Sequence, residues 1–144
     1  MRNAILAIVA LYCVSLCAAD AVAQNAAPPD RVKAQELYRQ GNYKDSLEYY
    51  RALLLAGSAE PGDLSSAVGC LKNLQRTSEV DPLIEASVEK NSGNWQILRE
   101  AAAQYRSLDH NGYIVAGEFN RGYPRGGQVR YVSSFARDRV RALQ

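Results

Sequence analysis

Residues 34–54 read AQELYRQGNYKDSLEYYRALL, and their spacing predicts two short helices joined by a tight turn. Ala34 and Leu37 fall on one face of the first helix, as the apolar side of an amphipathic helix requires. Gly41 and Asn42 then interrupt the helical pattern. Apolar and aromatic residues resume it in the second helix, at Tyr43, Leu47, Tyr50 and Leu54.

The same pattern recurs along the chain at a spacing of 34 residues. A fixed spacing of this kind indicates repeated structural units. Core positions of both helices recur together: Ala34 with Val68 and Ala102, Leu37 with Leu71 and Tyr105, Tyr50 with Ile84, Leu54 with Val88, and Leu64 with Leu98. Each helix pair would bury its apolar face by packing on the next pair.

The segment from Ala34 to Leu54 resembles the tetratricopeptide repeat family, whose repeat has the same length. The matching features are a small residue at Ala34, a Gly-Asn-Tyr turn at 41–43 and Tyr50 in the second helix. The later copies keep size and polarity but lack the turn glycine and tyrosine. The resemblance implies one good repeat, one degenerate repeat and the first helix of a third. Unrelated helical hairpins of similar length would give the same period, so both interpretations stay open.

Capping residues and turn residues predict where the helices begin and end. Candidate starts are Asp30, Asp63, Asp81 (followed by Pro82) and Asn94. After Gly112 the pattern changes, because glycines and a proline make a helix costly up to residue 127. Val129 and Tyr131 alternate with polar neighbours, which is typical of a short strand or an extended segment.

We therefore expect an all-α fold of stacked antiparallel helical hairpins, similar to tetratricopeptide repeats. The helical-repeat region covers 30–111, and a Gly/Arg-rich loop or short strand segment follows at 112–132. A terminal helix occupies 133–144, and its pattern is still running at Gln144, so we expect a truncated helix.

The N-terminal residues have the pattern of a cleavable export signal. Arg2 supplies a positive charge, residues 4–19 are apolar and uncharged, and Ala21–Ala23 predicts cleavage after residue 23, so that 1–23 is the signal peptide. A flexible lead-in at 24–29 follows. We expect an exported protein, periplasmic or extracellular, with no membrane span after cleavage. Cys70 would then be the single cysteine, a small buried side chain without a disulfide.

The residues that carry common catalytic chemistry are scarce. One histidine, His110, and one mature cysteine, Cys70, do not make up a zinc site of the usual types. The sequence has no Gly-x-Ser-x-Gly motif and no glycine-rich phosphate loop with its lysine. We expect a non-enzymatic protein with no cofactor and no metal.

Aromatic residues are the candidates for binding a protein partner. Nine tyrosines against two phenylalanines suggest half-buried rings with hydroxyls at the surface. Such rings suit a binding face, and they suit ordinary helix packing equally well. The candidate partner-binding residues are Tyr38, Tyr43, Tyr50 and Trp95.

The C-terminal end is basic, with six arginines against Glu118 and Asp138 in residues 117–144. Arg121, Arg125 and Arg130 are candidates for contacting anionic polymers of the cell envelope. Arginines mixed with glycine and aromatic residues are also typical of RNA-binding tails, but export argues against a nucleic-acid partner. In the other interpretation, the segment is a connecting loop whose arginines pair with acidic helix faces.

Residues 110–144 resemble the N-terminal region of large bacterial alpha-2-macroglobulin-like proteins. The resemblance rests on GYIVAGEF at 112–119, RGxxRGG at 121–127 and YVxSFxRDRVRALQ at 131–144. It implies the leading segment of a longer protease-trapping chain built from β-sandwich domains. The Cys-x-Glu-Gln thioester motif of that family is absent from this sequence, so no functional residue carries over.

These observations favour an exported interaction or scaffold module that holds a protein partner against its helical face. One alternative is a leading fragment of a macroglobulin-like protease inhibitor. The other is a binder of anionic cell-envelope polymers that uses the basic C-terminal segment.

Overall fold

The computed structural model describes residues 30–124 and 129–144, so the predicted signal peptide and lead-in lie outside the described residues. The elements in chain order are α1 (Arg31–Arg39), α2 (Tyr43–Leu55), α3 (Asp63–Asn73), a 3-10 turn (Thr77–Glu79), α4 (Val80–Lys90), α5 (Trp95–Ser107), β1 (Asn111–Val115), β2 (Glu118–Asn120), β3 (Val129–Ser133) and α6 (Phe135–Arg141). Within these ranges, no helix combines the length and apolar character needed to span a membrane.

The first two helices form the hairpin that the opening stretch predicts. The Asp30 carboxylate caps α1 by accepting a hydrogen bond from the backbone N–H of Lys33 at 3.0 Å. Asn42 caps α2 in the same way. Gly41 lies between them with a φ of +77°, which a residue with a Cβ rarely adopts. The cap at Asp30 and the turn at Gly41 therefore confirm the local prediction, and the cap at Asn42 is an additional finding.

The core lies between successive helices and is built from their apolar stripes. The largest apolar side chains that are fully buried are Leu47, Leu54, Leu64, Leu71, Ile84 and Ile97. Cys70 is also fully buried, with its Sγ 3.7 Å from the Ser46 hydroxyl oxygen. The prediction that Cys70 is a small core residue is confirmed.

The start of α3 differs from the prediction. Its N-cap is Gly62, which has no side chain, and Glu100 of α5 accepts hydrogen bonds from the N–H groups of Gly62 (3.1 Å) and Ser65 (2.8 Å). Asp63, predicted as the cap, is buried and forms an ion pair with Arg31 at 3.0 Å. A carboxylate from a neighbouring helix therefore caps α3.

The predicted all-α fold is wrong, because residues 111–133 contribute a three-stranded antiparallel sheet. The strand order is β2-β1-β3. Tyr113, at the centre of β1, lies opposite Asn120 of β2 and Tyr131 of β3. The protein is therefore a mixed fold, with the sheet placed where a third helical hairpin would close.

Two local features explain why this segment is a sheet. Ala116 and Gly117 join β1 to β2 as a two-residue turn, and both have positive φ, +50° and +89°, as a type I′ turn requires. Gly112 allows the Phe119 ring to cross over β1, since a Cβ at residue 112 would lie 2.6 Å from that ring. Ala-Gly is not among the sequences that favour this turn, which is why the hairpin was not predicted.

The last helix, α6, is fixed directly to the end of β3. Ser134 precedes α6, and its backbone N–H donates to the carbonyl of His110 at 2.9 Å. The helix then packs against α5. This contact brings a helix from the C-terminal segment beside the helical hairpins.

Candidate functional site

The candidate aromatic residues do not form one binding face. Tyr50 is 2% exposed in the core, and burial raises the pKa of its hydroxyl. Tyr38 and Tyr43 are half-buried and meet edge to face, with ring centroids 5.4 Å apart. Tyr38 also packs on α3 at Gly69, where an added Cβ would lie 2.7 Å from the Tyr38 hydroxyl. These three tyrosines mainly hold α1, α2 and α3 together.

Trp95 is different, because 63% of its surface is exposed at the first turn of α5. The guanidinium carbon of Arg99, one turn later, lies 5.3 Å from the centroid of the Trp95 ring. The arginine therefore covers one part of an exposed aromatic surface, as in a cation–π pair.

Arg99 also borders a concave surface between α5 and α6, named here the arginine groove. Its volume is about 240 Å³, and its lining residues are Arg99, Ala102, Arg106, Arg139, Ala142 and Leu143. The floor is made of alanines, so the three guanidinium groups stand around a shallow apolar surface. Leu143 is 85% exposed at the rim.

The charged residues that line the arginine groove are all positive. No carboxylate is among its lining residues. In the part of the chain that the structure describes, Arg99, Arg106 and Arg139 form no ion pair. All three are exposed. Within the described residues, these three arginines are therefore not in an ion pair, and Glu100 shares a neighbouring concave surface with Arg99 and Arg106.

A second concavity adjoins the arginine groove through Ala102 and Ala142. Its volume is about 170 Å³, and its walls include Ile84, Val88 and Leu98. An apolar side chain of suitable size could bury itself here beside the arginines. The lining of this pocket is mostly apolar and also holds Glu85, which pairs with Arg141. The geometry thus combines a mostly apolar pocket with a cluster of cations.

The sequence of α5 contains a pattern that could have predicted the arginine groove. Trp95, Arg99, Ala102 and Arg106 follow the i, i+4, i+7, i+11 spacing of one helical face. Of these four residues, only Trp95 is among those that the sequence predicts to bind a partner. Arg139 carries no such signal, because its place in the arginine groove depends on how α6 packs against α5.

The structure places Arg121 in a buried ion-pair network. Its side chain is 4% exposed, and it donates to Asp81 (2.8 and 3.0 Å) and to Asp138 (2.7 and 3.2 Å). Arg137 also pairs with Asp81, at 2.9 Å. Arg121 therefore matches the interpretation of arginines pairing with acidic helix faces, and it offers no free charge to a polymer.

The other two arginines predicted to contact anions are Arg125 and Arg130. Arg130 is exposed on β3. Arg125 lies outside the described residues. The predicted anion-contacting set is therefore not brought together as one surface by the described residues.

Ion pairs and hydrogen bonds shift the pKa values of Asp138 and Arg121. Burial by itself would raise the pKa of Asp138, but hydrogen bonds from Arg121, His110 and Ser134 outweigh it and hold the pKa below its usual range. Burial would lower the pKa of Arg121, and its bonds to Asp81 and Asp138 outweigh that effect. Both groups are therefore held in their charged forms.

His110 and Ser134 belong to the same network. The Nδ1 atom of His110 lies 2.9 Å from Oδ2 of Asp138, and the Ser134 hydroxyl donates to that same oxygen at 2.7 Å. The imidazole is therefore not positioned on the hydroxyl as a general base would be. Among residues 30–124 and 129–144, no cluster of three or more His, Cys, Asp or Glu side chains is placed to hold a metal ion.

Comparisons of the chain with protein-family models, with curated proteins and with solved structures give no match. The resemblances to tetratricopeptide repeats and to the leading region of macroglobulin-like proteins therefore stay predictions.

Proposed function

We propose that this protein is an exported, non-enzymatic interaction module whose arginine groove binds an acidic segment of a partner protein. The observation that carries the proposal is the set of three exposed arginines around one apolar floor with no carboxylate in the lining. The helical hairpins act as the scaffold that fixes the spacing of these arginines.

The chemistry of the groove favours a peptide with both acidic and apolar side chains. Guanidinium groups bind carboxylates through paired hydrogen bonds, which add geometric specificity to charge attraction. The adjoining pocket at Ile84, Val88 and Leu98 suits an apolar anchor residue. Exposed Trp95 extends the same surface, and tryptophan and arginine are the residue types that most often dominate binding energy at interfaces.

The charge of the groove also affects the rate of association. A cluster of like charges attracts an oppositely charged segment before contact and raises the association rate constant at low salt. We therefore expect the association rate to fall with ionic strength, while the apolar anchor continues to slow dissociation.

Selection from a random library of 12-residue peptides displayed on phage tests this proposal. The selected peptides should be rich in Asp and Glu around an apolar residue. In fluorescence anisotropy, Arg99→Ala or Arg106→Ala should weaken a selected peptide by about tenfold or more, since hydrogen bonds to charged groups contribute roughly 1.5–3 kcal/mol.

Arg39→Ala is the matched control, because Arg39 is an exposed helical arginine that pairs with Glu36 of its own helix. It should leave the affinity unchanged. The proposal is wrong if the selected peptides show no acidic preference, or if the two groove variants bind them as well as the unaltered protein does.

A further inference from the structure

A second surface of the molecule has a different composition. Tyr113 and Tyr131 lie directly opposite each other on β1 and β3, with ring centroids 5.6 Å apart. Tyr123, just after β2, meets Tyr113 edge to face at 5.4 Å. Because side chains alternate along a strand, Val115 and Val129 share this side of the sheet. The exposed Glu118, which pairs with Val115, lies on the same side. We name this surface the tyrosine face.

The rings of the tyrosine face are open to solvent. Tyr123 is 84% exposed and Tyr131 is 64% exposed, whereas Tyr113 is half-buried between them. Exposed aromatic rings in mutual contact offer a large apolar area at little cost in conformational entropy, since a tyrosine has few rotatable bonds. The cluster therefore offers exposed aromatic rings to a ligand, with the Tyr113 ring inclined at 79° to Tyr123 and at 73° to Tyr131.

A concave surface of about 650 Å³ adjoins the tyrosine face at Tyr123, and we name it the polar groove. It lies between the C-terminal end of α3 and the segment after β2. Its polar lining side chains are Lys72, Gln75, Arg76, Thr77, Ser78 and Asn120. The lining therefore holds two cations, two amides, two aliphatic hydroxyls and the Tyr123 phenol, with no carboxylate.

The tyrosine face and the polar groove are held rigidly together. Gly122 packs so closely on the 3-10 turn that an added Cβ would lie 2.9 Å from the Cβ of Ser78. The neighbouring Arg121 is anchored in its buried ion pairs. Tyr123 therefore follows directly after two anchored residues, Arg121 and Gly122. A site that is already ordered loses less entropy when it binds.

We propose that the tyrosine face and the polar groove together bind an anionic polysaccharide. The C–H groups of a sugar ring carry partial positive charge and pack against the negative face of an aromatic ring. The amides and hydroxyls of the groove suit sugar hydroxyls, and Lys72 suits a sugar carboxylate. This site is separate from the arginine groove, so it does not depend on the function proposed above.

The composition of the polar groove favours a hydroxyl-rich anionic polymer over a nucleic acid. Arg76 binds Glu79 through two hydrogen bonds of 2.6 and 2.7 Å, so much of its charge is already neutralised. Lys72 is then the main free cation of the lining. Nucleic acids carry one charge per nucleotide and are bound mainly through many phosphate contacts. The groove instead offers more neutral hydrogen-bonding groups than cations.

Affinity electrophoresis of the full protein in native gels tests this inference, with alginate, polygalacturonate or hyaluronate cast in the gel. At least one of these polyuronates should retard the protein, and neutral dextran should not. Tyr131→Ala and Tyr123→Ala should each reduce the retardation at least fivefold. Tyr131→Phe, which keeps the ring, should retain it, and Lys72→Ala should weaken it.

Two control variants separate this site from others. Lys44→Ala removes an exposed lysine of α2, and Trp95→Ala removes an exposed aromatic residue of the arginine groove surface. Both should be retarded like the unaltered protein. Far-UV circular dichroism of each variant checks that the fold is kept.

Three results would overturn the inference. The first is that none of the three polyuronates retards the protein. The second is retardation that the tyrosine variants leave unchanged, which would reduce the effect to net charge. The third is tighter binding to a single-stranded oligothymidylate than to any polyuronate, which would assign the surface to nucleic acid.

Discussion

At the scale of single residues, Arg121 holds the sheet and α6 against the helices. It joins Asp81 of α4 to Asp138 of α6, and all three side chains are nearly or fully buried. Removing one partner of a buried ion pair is costly, because the charges left behind stay desolvated without compensation. We therefore expect Arg121→Ala to reduce the free energy of unfolding by about 3–5 kcal/mol, measured by urea denaturation.

Arg130→Ala is the control for this variant, since Arg130 is exposed on β3 and lies in the same basic segment. It should change the free energy of unfolding by less than about 0.5 kcal/mol, as surface substitutions usually do. Equal effects of the two substitutions would contradict a structural role for the Arg121 network.

Asp138 makes the stability of the protein depend on acidity. Its pKa in the folded protein is below its usual range, which is about 4 in an unfolded chain. The unfolded state therefore binds the proton more readily, and the contribution of Asp138 is fully present above about pH 4 and is lost as the pH falls through the folded pKa. Urea midpoints should drop as the pH is lowered below about 4, and they should drop less in Asp138→Asn.

Glu118→Gln is the comparison for acidity, because Glu118 is an exposed carboxylate on β2. Its acid dependence should match that of the unaltered protein. An unchanged acid dependence in Asp138→Asn would show that other carboxylates account for the loss, with Glu79, whose pKa is also lowered, as the next to examine.

At the scale of elements, the β1–β2 hairpin depends on Gly112. A Cβ at this position would lie 2.6 Å from the carbonyl oxygen of Asn120 and 2.6 Å from the Phe119 ring. Neither the backbone of Asn120 nor the Phe119 ring can move away without disturbing the hairpin. Gly112→Ala should therefore destabilise the protein by about 1–3 kcal/mol, the usual range for overpacking, as measured by thermal unfolding.

Gly93→Ala is the matched control, because a Cβ added at Gly93 would meet no atom within 4 Å. Its effect on the melting temperature should be small or slightly stabilising, since alanine restricts the unfolded chain more than glycine does. A similar loss in both variants would indicate that backbone freedom, and not the contact with Phe119, governs Gly112.

The sequence predicted most of the helices but did not predict the β1–β2 hairpin. The helix starts at Asp30 and Asn94 and the turn at Gly41 were predicted, because caps and turns act over three or four residues. The hairpin at Ala116 and Gly117 was not, since its turn sequence is weak and its stability comes from β3 and Phe119. Asp63 was predicted as a cap and is instead an ion-pair partner, because Arg31 of α1 lies beside the start of α3. Asp81 was also predicted as a cap, but α4 begins at Val80 and Asp81 pairs with Arg121.

At the scale of the whole molecule, the buried network couples two parts of the fold. Asp81 lies in the helical part, whereas Arg121 and Arg137 come from the sheet segment and α6. We expect Asp81→Asn to speed amide hydrogen exchange in β1, β3 and α6 while exchange in α1 and α2 stays unchanged, as seen by mass spectrometry. In the unaltered protein, local opening of the sheet must break the ion pairs of Asp81 with Arg121 and Arg137. Asp81→Asn removes both ion pairs, so local opening costs less free energy.

Glu89→Gln provides the control on the same helix, because Glu89 is an exposed residue of α4. It should leave the exchange pattern intact. Uniformly faster exchange along the whole chain in Asp81→Asn would instead mean that the protein opens as one cooperative unit.

Local patterns in the sequence determined the helical hairpins, several of their caps and the burial of Cys70, because periodicity and capping depend on near neighbours in the chain. Only the tertiary structure decided which charges are neutralised in ion pairs and which stay exposed. Arg121 lies 40 residues from Asp81 and 17 from Asp138, and it is buried between them. Arg139 joins Arg99 and Arg106 only because α6 packs on α5. Ion pairing depends on distance in space, and that distance is set by the packing of elements that lie far apart in the chain.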